Sequence, residues 1–178
     1  MKSKLTLLFA LLVTLIATAQ VSTKTGTLKF EASTDNFEPV AATNNATSAI
    51  LKEDGSIVVL SLIKGFQFKK DLMQKHFNSS KWVDSKKFPK TKFVGKVTGL
   101  DLSTLSDKAA TYKINGKLTF HGVTNDVATT ATISKVDEAV KLIASFSVEV
   151  ADYGINVKSK LEAKIAKTVN IEVDLTLK

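Results

Sequence analysis

Hydrophobic and polar residues alternate along most of this chain, as they do in strands with one dry face and one wet face. Alternating runs occupy residues 27–32, 111–120, 126–133 and 141–150. The cleanest run is at the C-terminus, where the apolar positions are Val169, Ile171, Val173, Leu175 and Leu177. Because one face of each run is polar, we expect an antiparallel sheet.

Two further regions extend the sheet. Asp54-Gly55 separates two strand-like runs and is a strong hairpin signal. The run after it, residues 56–63, is apolar on both faces, which indicates a central or covered strand. Residues 91–100 predict one more strand, so that about eight strands are expected in all.

Helical spacing appears in two short segments. Phe68 and Leu72, and then Met73 and Phe77, lie four residues apart, which predicts a short helix over about residues 69–77. Residues 157–166 repeat an apolar residue every fourth position and could hold a second short helix.

The strand count predicts an all-β fold, an antiparallel eight-stranded barrel with one or two short helices. Closure into a barrel removes the two unpaired edges that an open sheet of eight strands would expose. The inward positions mix bulky residues such as Phe120 and Phe146 with small ones such as Ala131 and Ala144, which favours room for a ligand. A two-layer sandwich with a filled core would show the same alternation and stays open as an alternative.

The first 19 residues have the order of a secretory signal peptide. Lysines at positions 2 and 4 precede an apolar run from Leu5 to Ala17, and cleavage is expected after Ala19. Retention of the segment as an N-terminal anchor is the alternative. We therefore expect one domain over residues 20–178, exported by a bacterial cell to the periplasm or secreted, and without disulfides because the chain has no cysteine.

Positive charge is concentrated in one part of the chain. All 25 basic residues are lysine, and residues 69–96 contain nine of them against only two acids. Export and the absence of arginine argue against nucleic acid as the partner. The lysine-rich segment 69–96 is either a solvated face or a contact for anionic headgroups or a membrane surface.

No motif for catalysis, metal binding or a cofactor stands out. His121 and His76 are the only histidines, and they fall in different predicted elements. Zinc sites need three or four ligands, so we predict no metal site, and a turn role that bonds nearby backbone is the simpler interpretation of His121. Phosphate loops, nucleophile elbows and zinc-protease helices are absent from the sequence, so we expect no cofactor and no enzyme.

Three stretches make the chain resemble the YceI-like family of lipid-binding periplasmic proteins. They are residues 114–127, which include His121-Gly122-Val123-Thr124, residues 65–97, which include the predicted helix and Lys87-Phe88-Pro89, and residues 151–155. The resemblance implies a lipocalin-like barrel, exported, that holds a polyisoprenoid or isoprenoid quinone in its lumen. It implies no catalytic residues.

The functional hypothesis is a carrier or sequestering protein for a hydrophobic or amphiphilic lipid. The expected ligand-binding residues are the large apolar side chains of the lumen and of the helix that would act as its lid: Phe30, Phe66, Phe68, Leu72, Phe77, Trp82, Phe93, Phe120 and Phe146. The main alternative is an envelope structural or protein-interaction domain with a filled core and no ligand. An enzyme on polyprenyl substrates is a third hypothesis, which needs a polar cluster inside the lumen.

Overall fold

Strands with alternating exposure dominate the computed structural model, which describes residues 20–35, 37–161 and 163–178. The predicted signal peptide at residues 1–19 lies outside this part of the chain. The strands are β1 (Gln20–Glu31), β2 (Ala41–Lys52), β3 (Ser56–Leu62), β4 (Gln67–Phe68), β5 (Lys90–Val97), β6 (Ala110–Phe120), β7 (Val123–Val136), β8 (Ala139–Glu149) and β9 (Thr168–Leu177).

One α-helix, α1 (Asp71–Asn78), follows the two-residue strand β4. This confirms the helix predicted from the apolar spacing over residues 69–77. Short 3-10 turns occupy Ile63–Gly65, Val150–Tyr153 and Ser159–Leu161. In place of the possible second helix over residues 157–166, the described residues form the 3-10 turn Ser159–Leu161 and a following turn in which the Leu161 carbonyl accepts from the N–H groups of Lys164 and Ile165.

The eight long strands close into an antiparallel barrel. Their order around the barrel is β1, β9, β8, β7, β6, β5, β3 and β2, and β2 pairs with β1 to complete the ring. The short strand β4 adds to β2 through Ala42 and Thr43. Closure confirms the predicted barrel and excludes the two-layer sandwich, because no edge of the ring is left open.

The Asp54-Gly55 hairpin forms as predicted between β2 and β3. Gly55 has a φ of +81°, which a residue without a Cβ adopts at little cost, and its N–H donates to the Lys52 carbonyl at 2.9 Å. Ser56 donates to the Asp54 carboxylate through both its backbone N–H and its hydroxyl. These hydrogen bonds lower the pKa of the Asp54 carboxyl below its ordinary value.

Two clusters of buried side chains lie at opposite ends of the barrel. The closed end is packed by aliphatic residues, among them Leu51, Ile133, Leu175 and Leu177, which are fully buried. The other end carries α1 and an aromatic cluster around Phe66. The space between these clusters is where a ligand site can form.

Candidate functional site

A cavity of about 1050 Å³ occupies the barrel between the two clusters. Its walls are inward-facing side chains from seven of the eight long strands, all but β2. Most of these side chains are apolar, among them Leu28, Ile57, Val59, Leu118, Leu142, Val169, Ile171 and Val173. A volume of this size is at the upper end of the range for sites that enclose a whole small-molecule ligand. We call this space the main cavity.

A pair of glycines widens the main cavity on one side. Gly95 of β5 and Gly116 of β6 face each other across the strand pair. The ring of Phe93 lies against both of them, since a Cβ built on either glycine would come within 2.7 Å of a ring carbon. The ring therefore lies flat along the wall and leaves the centre of the barrel free.

An aromatic cluster covers the end of the cavity beneath α1. Phe30 is at its centre, and its ring centroid lies 5.3 Å from that of Phe66, 5.7 Å from that of Phe68 and 5.4 Å from that of Phe77. Trp82 packs against the same cluster from the loop after α1. Aromatic pairs at these separations attract each other beyond the area that they bury, so the cover is cohesive.

The main cavity brings together nearly all the residues predicted to bind ligand. Those that line it are Phe30, Phe66, Phe68, Phe77, Trp82, Phe93, Phe120 and Phe146. Leu72 does not line it and is 63% exposed. The spacing of Phe68 and Leu72 would place them on one face only within a single helix, but Phe68 lies in β4, before the helix begins. Met73 lines the cavity with Phe77 instead.

Sequence reasoning missed the contribution of the segment between β8 and β9. Val150, Tyr153, Ile155, Val157, Leu161 and Ile165 all line the main cavity. The signal for the last three was their spacing of four residues, which was interpreted as a helix. The segment instead lines the cavity with two short turns. Leu161 N–H donates to the Lys158 carbonyl at 2.7 Å in the first turn, and Lys164 N–H donates to the Leu161 carbonyl at 2.8 Å in the second.

Lysine side chains surround the mouth of the main cavity. Lys75 and His76 of α1, Lys81 of the following loop and Lys164 of the segment between β8 and β9 contribute to its lining, and we call these four residues the basic rim. Glu38 also lies at the mouth, where it accepts a hydrogen bond from Lys70 at 2.7 Å. Lys75 and Lys81 therefore bring part of the positive charge of the lysine-rich segment 69–96 to the mouth.

Polar groups inside the main cavity are few and paired. The hydroxyl of Ser61 is hydrogen-bonded to that of Thr47 at 2.6 Å, and both residues are buried. Thr129 donates to the Ser145 carbonyl at 3.1 Å. Burial raises the pKa of the Tyr153 hydroxyl, and the neighbouring Asp152 charge acts in the same direction. The wall presents hydroxyls and no carboxylate pair within the described residues.

His121 belongs to the frame of the barrel. With Gly122 it forms the two-residue turn between β6 and β7, and both have a positive φ, +50° and +80°. The Nδ1–H of its ring donates to the Tyr153 carbonyl at 2.9 Å, and Phe88 packs edge-on at 4.5 Å between centroids. The ring bonds backbone, as predicted for a turn residue, but the carbonyl belongs to a segment 32 residues further along the chain.

Neither a cluster of metal-binding side chains nor a membrane-spanning helix occurs in the described part of the chain. No three of its histidine, aspartate or glutamate residues are grouped so that they could hold a metal ion. None of its helices has the length and apolar character that a transmembrane helix requires.

Comparison with known proteins identifies the family. The model of the YceI-like domain matches residues 13–177. This chain belongs to the YceI-like family. The match includes all the strands of the barrel and the segment that carries α1, so the barrel and its cavity make up the YceI-like domain.

Solved structures share the fold of this YceI-like domain at low sequence identity. A polyisoprenoid-binding domain from Saccharophagus degradans, implicated in plant cell wall breakdown, has a TM-score of 0.75 and 14% identity and covers 91% of this chain and 99% of its own. BcnA of Burkholderia cenocepacia has a TM-score of 0.70 and 17% identity, with 85% and 96% covered. The Campylobacter jejuni YceI protein has a TM-score of 0.52 and 20% identity, with 69% and 72% covered. No protein of curated function matches the sequence.

Proposed function

We propose that this YceI-like protein is an exported carrier or sequestering protein that holds one chain-like amphiphile in its barrel. The observation that carries the proposal is the main cavity, about 1050 Å³ of space with apolar walls and a basic rim. A filled-core scaffold would have no such space. The ligand class we propose is a polyisoprenoid or isoprenoid quinone, in keeping with the polyisoprenoid-binding neighbour from Saccharophagus degradans.

Burial of the ligand's hydrocarbon chain supplies the affinity. At about 0.8 kcal/mol for each buried CH₂, about twenty carbons contribute roughly 16 kcal/mol. Association and ordering cost several kcal/mol, commonly about 4–15. A cost of up to about 8 kcal/mol leaves the roughly 8 kcal/mol that micromolar binding needs, without any specific hydrogen bond.

The basic rim selects the polar end of the ligand. Lys75 and Lys81 make no ion pair with any acid in the described part of the chain, so their charges are available to an anionic headgroup. The same lysines would favour the approach of the mouth to an anionic membrane surface. We propose binding and transport within the periplasm or outside the cell, and no catalysis, because the hydroxyls inside the cavity are hydrogen-bonded to their neighbours and Glu38 is the one carboxylate in its lining among the described residues.

Titration with a polyprenyl phosphate tests this function. Trp82 is the only tryptophan and lines the main cavity, so its fluorescence reports on occupancy directly. We expect saturable binding, which weakens by about tenfold or more in a Lys75→Glu, Lys81→Glu variant, since exposed charge contacts contribute up to about 1 kcal/mol each and reversal doubles the change. High salt should reduce the difference between variant and wild type.

The matched control changes the same net charge away from the mouth. Lys96 at the end of β5 and Lys113 of β6 are exposed and do not line the main cavity. A Lys96→Glu, Lys113→Glu variant should bind as the wild type does. Equal weakening in both variants would show that only overall charge matters, and no binding of any chain-like lipid to the wild type would overturn the proposed function.

A further inference from the structure

The barrel wall has a break between two neighbouring strands. Pairing of β7 with β8 begins at Ala131 opposite Ala144 and continues to the hairpin at Val136 and Ala139. Residues 123–130 of β7 pair only with β6, and residues 145–149 of β8 pair only with β9. The two strands therefore diverge toward the mouth and leave a wedge without a backbone ladder.

A second cavity of about 600 Å³, which we call the side pocket, lies in this wedge. It is lined by residues 125–129 of β7 and 145–149 of β8, together with Asp152, Tyr153 and Thr168. Four of its residues also line the main cavity: Thr129, Phe146, Val148 and Tyr153. Only side chains separate the two spaces, and side chains change rotamer far more readily than a hydrogen-bonded sheet opens.

The wedge is a built feature with a closed top. The turn Val150–Tyr153 lies above it, and two side chains from the β7 side hold this turn in place. His121 donates from Nδ1 to the Tyr153 carbonyl at 2.9 Å, and Asn125 donates from Nδ2 to the Asp152 carbonyl at 2.8 Å. Strand pairing closes the barrel wall below the wedge, and these two side-chain hydrogen bonds close it above. The opening between β7 and β8 is therefore confined to a window between them.

The two cavities have opposite electrostatic character. Asp126, Glu149 and Asp152 line the side pocket, and no lysine does so among the described residues; Asp126 is ion-paired with Lys117, which lies outside the lining, so Glu149 and Asp152 carry most of the negative charge. The mouth of the main cavity has the basic rim instead. An anionic headgroup is therefore attracted to the mouth and repelled by the side pocket, whereas an uncharged hydrocarbon segment meets no such penalty and finds Val127, Phe146 and Val148 there.

We propose that the side pocket is a second subsite of the ligand cavity, which receives the far end of a hydrocarbon chain too long for the main cavity. The proposal rests on the proposed function and assigns the ligand an orientation. The head lies at the basic rim, the chain fills the main cavity, and its distal end turns back toward the mouth and passes between Thr129 and Phe146 into the side pocket. The window thereby sets which chain lengths the protein accepts.

A disulfide that pins the window shut tests this subsite. Continuing the register of Ala131 and Ala144 by three residues places Ala128 opposite Ser147, and the chain has no native cysteine to interfere. An Ala128→Cys, Ser147→Cys variant is titrated, oxidised and reduced, with prenyl phosphates of increasing length. Each buried methylene raises affinity about fourfold, so we expect the affinity of the reduced form to keep rising with length after that of the oxidised form has levelled off.

A disulfide in the paired part of the same two strands is the control. Thr132 and Ile143 are opposite each other in the ladder, and both are exposed on the outer face. The oxidised Thr132→Cys, Ile143→Cys variant should show the wild-type dependence on chain length. If the window disulfide does not form, a Thr129→Phe variant blocks the partition and should produce the same levelling off.

The outcomes separate this proposal from the function on which it rests. If long chains bind equally well to the open, pinned and Thr129→Phe proteins, the side pocket is not a subsite. If prenyl phosphates of every length fail to bind the wild type, the proposed function itself fails. Retained binding of short chains together with at least roughly tenfold weaker binding of the longest chain to the pinned form is the result that we expect.

Discussion

At the scale of single residues, the cavity exists because small or short side chains stand where a packed barrel would carry large ones. Gly95 and Gly116 admit the ring of Phe93 against the wall. Val169 lines the main cavity and belongs to neither of the two packed clusters. A larger side chain at such a position would extend into space that is free for a ligand.

We expect a Val169→Phe substitution to fill part of the main cavity without overpacking the fold. The free energy of unfolding, measured with urea, should change by less than about 1 kcal/mol, whereas the same substitution in a tightly packed core costs about 1–3 kcal/mol. Affinity for a prenyl phosphate should fall by about tenfold or more, since several methylenes lose their place.

Thr176→Phe on the same strand is the control, because Thr176 is exposed on the outer face of β9. It should leave both the stability and the affinity of the protein close to those of the wild type. A loss of several kcal/mol on the Val169→Phe substitution, with ligand affinity unaffected, would mean that no usable space exists at this position.

Most of the candidate residues could be identified from the alternation of inward-facing and outward-facing positions along their strands. Phe30, Phe120 and Phe146 share the inward parity of the apolar positions on their strands, and all three line the cavity. Leu72 does not line the cavity, because i+4 spacing places two residues on one face only inside a single helix. The sequence does not show that Phe68 is held in β4 by its pairing with Ala42. That pairing joins residues 26 positions apart.

At the scale of elements, α1 is a cover attached to the barrel by few contacts. None of its residues is fully buried. Phe77 provides its main attachment, with its ring centroid 5.0 Å from that of Phe68 and 5.4 Å from that of Phe30. Elements with little buried apolar surface open at a lower free energy than the fold as a whole, so α1 is suited to act as a lid.

Phe77→Ala should loosen this lid. Removal of a half-buried ring is expected to cost about 2–3 kcal/mol, less than the full core value. The amide hydrogens of α1 should exchange faster, and a bound prenyl phosphate should dissociate about tenfold faster or more. Leu72→Ala on the outer face of the same helix is the control and should change neither the amide exchange of α1 nor the dissociation of the ligand. Equal rates for both variants would contradict the role of α1 as a lid.

The N-terminal strands show why alternation alone could not predict their register. Along β1, Val21 packs into the closed-end cluster, whereas Leu28 and Phe30 face the cavity, so the inward parity changes between them. Pairing of β1 with β2 shifts on either side of Gly26, which accounts for the change. A bulge depends on contacts between strands, and a pattern within one strand does not reveal it.

At the scale of the whole molecule, the closed ring of eight strands is what turns several dry strand faces into one enclosed cavity. The strand count and the cost of open edges favour the barrel, but the same alternation leaves a two-layer sandwich open. The free volume could not be predicted in the same way, because a filled barrel and an empty one have the same alternation. It depends on how side chains from distant strands meet, as Phe93 does with Gly116.

Mass spectrometry of the lipid extracted from the protein, purified without detergent from the cells that make it, shows most directly whether the barrel holds a ligand. We expect a chain-like amphiphile at close to one molecule per protein, and its loss from the Val169→Phe variant purified in parallel. An extract that contains no lipid above the level found with the Val169→Phe variant would contradict it.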